Sequence, residues 1–183
     1  WNDINNFKVP LMPGERYLAN FLDKYLDNDW KIFLKTVLDW GGAGKTPDIV
    51  ISHKTQGVMI FEVKDIDLNA YSRKTFKNKY GKKRNLLCLN KHGENIVVKD
   101  PIKQIEDYKD LMIEEIPEII DYAYGEKEFE IPIKGGLYFH LPNSKKKANQ
   151  ILKYHNSQDI IVFDRDDLSK ENINKVILNL NFE

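Results

Sequence analysis

The spacing of apolar residues changes several times along this chain, and each change marks a predicted element. Over residues 14–27, GERYLANFLDKYLD, Leu18, Phe21, Leu22, Tyr25 and Leu26 fall at helical intervals behind Pro13 and Gly14, which predicts an amphipathic helix. Trp30 to Leu38 alternates loosely and runs into DWGGAGKTP, a strand entering a turn-rich loop. Asp48–Ser52 and Val58–Lys64 are apolar runs joined by a short polar link, the pattern of a hairpin. Residues 65–85 are polar and basic. NLLCLNKHGENIVVK then predicts a second hairpin turning at Lys91–Asn95, so that about 66–100 forms an insertion at one edge. PIKQIEDYKDLMIEEI opens on Pro101 and carries Ile102, Ile105, Leu111 and Met112 near one stripe, a helix. GGLYFHL supplies a strand, NSKKKANQILKYH a capped helix, DIIVF a buried strand and SKENINKVILNL a closing helix. This order predicts an α/β fold, a central mixed sheet flanked by helices.

Length and composition narrow the class. At 183 residues the chain suits one domain with one sizeable core, and no internal repeat is visible. Lys+Arg and Asp+Glu both total 28, so contact with nucleic acid has to come from local patches rather than from net charge. The one cysteine, Cys88, excludes an internal disulfide and a cysteine-rich zinc site and favours a reducing, cytoplasmic setting. No long apolar run suggests a membrane span and no signal-peptide core opens the chain. The absent initiator Met and the stop just after VILNLNF suggest a piece excised from a longer protein.

The chemistry concentrates at Pro47–Lys64, PDIVISHKTQGVMIFEVK. In a period-2 strand Glu62 and Lys64 share one face while Phe61 and Val63 share the other. A hairpin that brings Asp48 beside them offers two hard carboxylates for Mg²⁺ and one ammonium near an attacked phosphate, a hydrolytic constellation. The alternative is an ordinary hairpin carrying a surface ion pair. GGAGKT at Gly41–Thr46 fails as a phosphate-cradling loop, because GxxxxGK[ST] requires Gly where Asp39 stands and the stretch precedes a strand instead of a helix. His53, His92, His140 and His155 show no metal-ligand spacing, and none is assigned to a metal.

Three further groups keep two readings each. Glu15 is either a favourable charge in the first turn of the first helix or a third acid pointing into the cleft. Gln104 and Tyr108, at i and i+4, are either exposed polar residues or partners for a phosphate or a carboxylate ligand. The run YSRKTFKNKYGKKR carries Arg73, Lys74, Lys77, Lys79, Lys82, Lys83 and Arg84 with no acid, interleaved with Tyr71, Phe76 and Tyr80. It is either a solvated loop or, the favoured reading, a nucleic-acid contact with aromatics available for stacking.

Together, Gly14–Glu15, Pro47–Asp48, FEVK at Phe61–Lys64 and DPIKQIEDY at Asp100–Tyr108 resemble the PD-(D/E)xK nuclease superfamily, and within it the nuclease-related domain (NERD), over roughly residues 13–163. The resemblance rests on order and context more than on any one element. It implies a restriction-endonuclease-like core and Mg²⁺-dependent cleavage of DNA, with Mn²⁺ as the alternative ion. By position it implies Asp48, Glu62 and the Val63 carbonyl as metal ligands, Lys64 as catalytic lysine, Glu15 as the acid of the first helix and Gln104 as the glutamine that follows the core. It also implies attachment to a helicase or other ATPase module. The family pattern commonly has Asn-Pro where this chain has Asp100–Pro101, and the basic insertion is longer than expected. The competing function is a non-catalytic DNA-binding or interaction module of the same fold.

Overall fold

The structure, a computed structural model, describes residues 10–37, 45–53, 55–115, 133–152 and 160–172. The loop predicted around 39–44, His155 and most of the closing helix lie outside the described residues. The first helix, α1, spans Pro13–Tyr25 and buries Leu18, Ala19 and Leu22 on one stripe. Strand β1 (Trp30–Leu34) is shorter than its sequence pattern, because Lys35 turns into the left-handed region at φ 52 and ends the extended run. Strands β2 (Ile49–His53) and β3 (Gly57–Lys64) form the expected hairpin, with Ile49 opposite Phe61.

The central sheet has five strands in the order β1-β2-β3-β7-β8. The first three pair antiparallel, while β7 (Ile133–Phe139) and β8 (Ile160–Asp164) are added in parallel. Helices cover both faces, which makes this the mixed, helix-flanked sheet of a restriction-endonuclease-like fold. The face toward α1 is filled by Leu18, Leu22, Ile49, Ile51, Met59, Phe61, Val63, Tyr138 and Phe163. The opposite face packs Val50, Val58 and Ile60 against Tyr108 and Met112 of α2 (Pro101–Glu115). Farther along that face, Leu137, Phe139, Ile160 and Val162 meet Ile105 of α2 and Ala148, Ile151 and Leu152 of α3 (Ser144–Leu152). Strand β3 is buried along all but its last residue, so its near-continuous apolar run reflects cover on both sides.

The insertion differs from its prediction in one respect. The polar stretch after Lys64 contains a strand, β4 (Tyr71–Lys77), which pairs with β5 (Lys83–Lys91), and β5 pairs with β6 (Glu94–Val97) in a separate three-stranded sheet. Basic side chains hide the strand from a hydrophobic pattern, since this ribbon keeps Lys74–Lys77 and Lys83–Arg84 exposed and is held by cross-strand hydrogen bonds. The β4–β5 turn closes on Asn78, whose Oδ1 accepts from Tyr80 N and Lys82 N, with Gly81 at φ 77. The next turn falls at His92–Gly93, inside the predicted Lys91–Asn95.

Candidate active site

Residue alternation puts Glu62 and Lys64 on the α2 side of β3, in line with Val58 and Ile60. Asp48 immediately precedes β2, and its Oδ2 accepts a 2.8 Å hydrogen bond from Val63 N, pinning the carboxylate to the neighbouring strand. Val63 therefore meets Asp48 through its amide. Lys64 pairs with Glu62 Oε1. Glu15, in the first turn of α1, is 4 % exposed; its Oε2 accepts from Met12 N at 3.0 Å and ties off the helix start.

Lys35 completes the group and has no sequence signal: an ammonium one residue past a strand looks like any solvated terminus. Its Nζ lies 2.5 Å from Glu15 Oε1 and 2.6 Å from Asp48 Oδ1, so it joins the helix acid to the strand acid. Those two hydrogen bonds outweigh the burial that would lower the Lys35 pKa and hold it above the ordinary value. Burial raises the pKa of Glu15 despite the Lys35 bond. Glu62 is raised as well, first by burial and then by the Asp48 charge, with Lys64 opposing.

Gln104 and Tyr108 share the face of α2 that meets this group. Gln104 Nε2 donates to Tyr108 Oη at 2.6 Å, and that hydroxyl donates to the Thr46 carbonyl at 3.3 Å, just before Asp48. The Tyr108 side chain is buried in the core, where desolvation above all, with the Glu62 and Asp48 charges adding, pushes its phenol up to about 12. The sequence also gave no sign of Asp65, whose Oδ2 accepts from Gly14 N at 2.9 Å and docks the start of α1 onto the residue after Lys64. Gly14 is required there: a Cβ would stand 2.5 Å from Asp65 Oδ1 and 2.9 Å from His140 Cβ.

The basic run divides in two. Arg73 is committed to the interior scaffold: Nε and Nη2 donate to the Ile151 and Leu152 carbonyls at 2.7 Å each, capping α3, and the guanidinium pairs with Asp100. Lys74, Lys77, Lys79, Lys82, Lys83 and Arg84 are exposed on the β4–β5 ribbon, with Lys77 opposite Lys83. A separate surface group, Asp27, Asp29 and His53, has ligand atoms within 4.8 Å of one another. His53 Nδ1 there accepts from Thr55 N and Gln56 N, and Asp27 Oδ1 from Asp29 N, which is the bonding of two turns.

Among the described residues, two buried side-chain oxygens lack a hydrogen-bond partner, Glu62 Oε2 and Asp65 Oδ1. An unsatisfied carboxylate oxygen beside a second buried carboxylate is a hard, anionic donor set of the kind that takes a divalent cation. The residues present therefore fit the metal that the fold implies. In comparisons with known proteins, a family model described as NERD, nuclease-related domain, matches residues 11–140, from the entry into α1 to the residue after β7. No curated protein and no solved structure matches.

Proposed function

The chain belongs to the nuclease-related domain family, of the PD-(D/E)xK-like nuclease superfamily, and from that premise we propose that it hydrolyses DNA phosphodiester bonds with a divalent cation, Mg²⁺ or Mn²⁺. The observation that carries this reading is the buried Asp48–Glu62 pair beside Lys64, with Glu62 Oε2 left open. Asp48 and Glu62 would hold the ion, with the Val63 carbonyl as a further ligand. When bound, the cation supplies Lewis acidity toward a phosphoryl oxygen and lowers the pKa of a ligated water. Lys64 presents a compact positive charge to the charge that grows on the phosphate. Gln104 fixes the Tyr108 hydroxyl and, through the Thr46 carbonyl, the approach of the chain to Asp48. The exposed lysines of the β4–β5 ribbon would hold the DNA backbone without reading bases. The same reading has the domain working in the cytoplasm beside a helicase or ATPase module.

Incubating supercoiled plasmid with the protein and Mg²⁺ or Mn²⁺, with a chelator control, tests this. Nicked or linear product that disappears with chelator supports it; intact plasmid at every metal concentration counts against it. One observation favours a non-catalytic DNA-binding module instead. Lys35 bridges Glu15 and Asp48 and Lys64 pairs with Glu62, so these acids already carry cationic partners. A retarded but uncut plasmid would select that reading.

A further inference from the structure

Counting donors around the acids separates two cation positions with different fates. Glu15 has both oxygens engaged, Oε2 by Met12 N and Oε1 by Lys35 Nζ. Asp48 also has both engaged, Oδ2 by Val63 N and Oδ1 by Lys35 Nζ. Of the three acids Glu15, Asp48 and Glu62, it is Glu62 that keeps an oxygen without a hydrogen-bond partner, as does Asp65 just beyond Lys64. The ammonium of Lys35 thus fills the space between Glu15 and Asp48 at charge-assisted distances of 2.5 and 2.6 Å. It does so from a left-handed backbone at φ 52, a conformation that a residue other than glycine adopts at some cost.

We propose that Lys35 is a built-in substitute for a second metal ion, which makes this a one-metal site. Two carboxylates that face each other across a few ångströms attract a cation of either kind, and here the chain supplies its own. The ammonium offsets part of the charge of Glu15 and Asp48, occupies the two oxygens that face each other, Glu15 Oε1 and Asp48 Oδ1, and holds α1 against the end of β1. Asp48 Oδ2, whose hydrogen bond from Val63 N leaves a lone pair, stays available with Glu62 for the single ion. Its removal would expose two anionic groups with no counter-charge, an invitation to a hard divalent cation. Lys35 is on this account a positioning residue that sets metal stoichiometry. The inference rests on the metal-dependent reading above.

The test counts ions. Calorimetric titration of the intact protein with MnCl₂, without nucleic acid, should give one bound ion for the wild type and two for Lys35→Gly, a variant whose backbone suits the positive φ. Mn²⁺ electron paramagnetic resonance should show a spin-coupled pair in that variant and none in the wild type. Lys35→Met, which keeps the stem and loses the charge, should also bind two. Glu15→Gln, with Lys35 in place, should still bind one ion with wild-type affinity, since the helix acid faces the ammonium and not the ion. Two ions in the wild type, one in both Lys35 variants, or a lost ion in Glu15→Gln overturns the inference while leaving metal-dependent cleavage standing. No ion bound by any form overturns the metal reading itself, and the substitution with it.

Discussion

Burial works against the negative charge of Glu62, and a bound cation would work for it. Its folded pKa lies above the ordinary 4.5, so the folded state holds the proton more tightly than the unfolded chain does. That contribution to stability is fully present below the unfolded value and is lost as pH rises through the folded one. At neutral pH without metal, Glu62 is therefore a net burden on the fold. Glu62→Gln should raise the melting temperature of the metal-free protein by a few degrees at pH 7 and lose that advantage near pH 4, which thermal melts across pH will read. The same variant and Asp48→Asn should lose metal-dependent cleavage, because a neutral amide is a poor ligand for a hard ion. Lys64→Ala removes no ligand. It should retain metal affinity by calorimetry while turnover falls by about a hundredfold, the usual size for one lost transition-state charge; a collapse of metal affinity would make Lys64 structural.

The elements meet through a few tight contacts that single methyl groups can break. Gly136 of β7 lies where a Cβ would come within 2.5 Å of the Phe61 ring and 2.9 Å of Met59 Cε. Gly136→Ala should cost about 1–3 kcal/mol by overpacking, measured by denaturant unfolding. Arg73→Ala should destabilise on the same order, about 1–3 kcal/mol, because the Ile151 and Leu152 carbonyls lose their partner. It should do so without changing the salt dependence of DNA binding. The central elements were legible in the sequence because their faces are apolar: α1, the β2–β3 hairpin and α2 all follow from periodicity, and with them the approach of Asp48 to Glu62 and Lys64. Strand β4 was not legible, since a ribbon paired on an exposed surface needs no apolar alternation. Arg73 was indistinguishable from its basic neighbours until α3 packed over it. Lys35 and Asp65 owe their roles to contacts with α1 from 20 and 51 residues away, which no local pattern encodes.

At the scale of the whole molecule a chain of zero net charge carries six exposed cations on one ribbon, Lys74 to Arg84. If three or four of them meet phosphates, duplex affinity should fall with salt at a log-log slope of about −3 to −4. Replacing Lys77, Lys79, Lys82 and Lys83 by Ser should flatten that slope and weaken unrelated sequences alike, and an unchanged slope would reduce the ribbon to solvated surface. The mixed pairing of the central sheet also bears on the order in which the molecule assembles. Asp48 reaches Val63 across 15 residues and Lys35 across 13, whereas Val58 meets Ile133 only after the whole insertion and α2 have been made. Local closures precede distant ones, because each long loop costs entropy before its contacts form. In pulse-labelled hydrogen exchange, the β2–β3 amides should gain protection before those of β7. The acids of the site would then be gathered early, before the parallel strands cover them, and the ammonium that arrives with β1 would be their first counter-ion during folding.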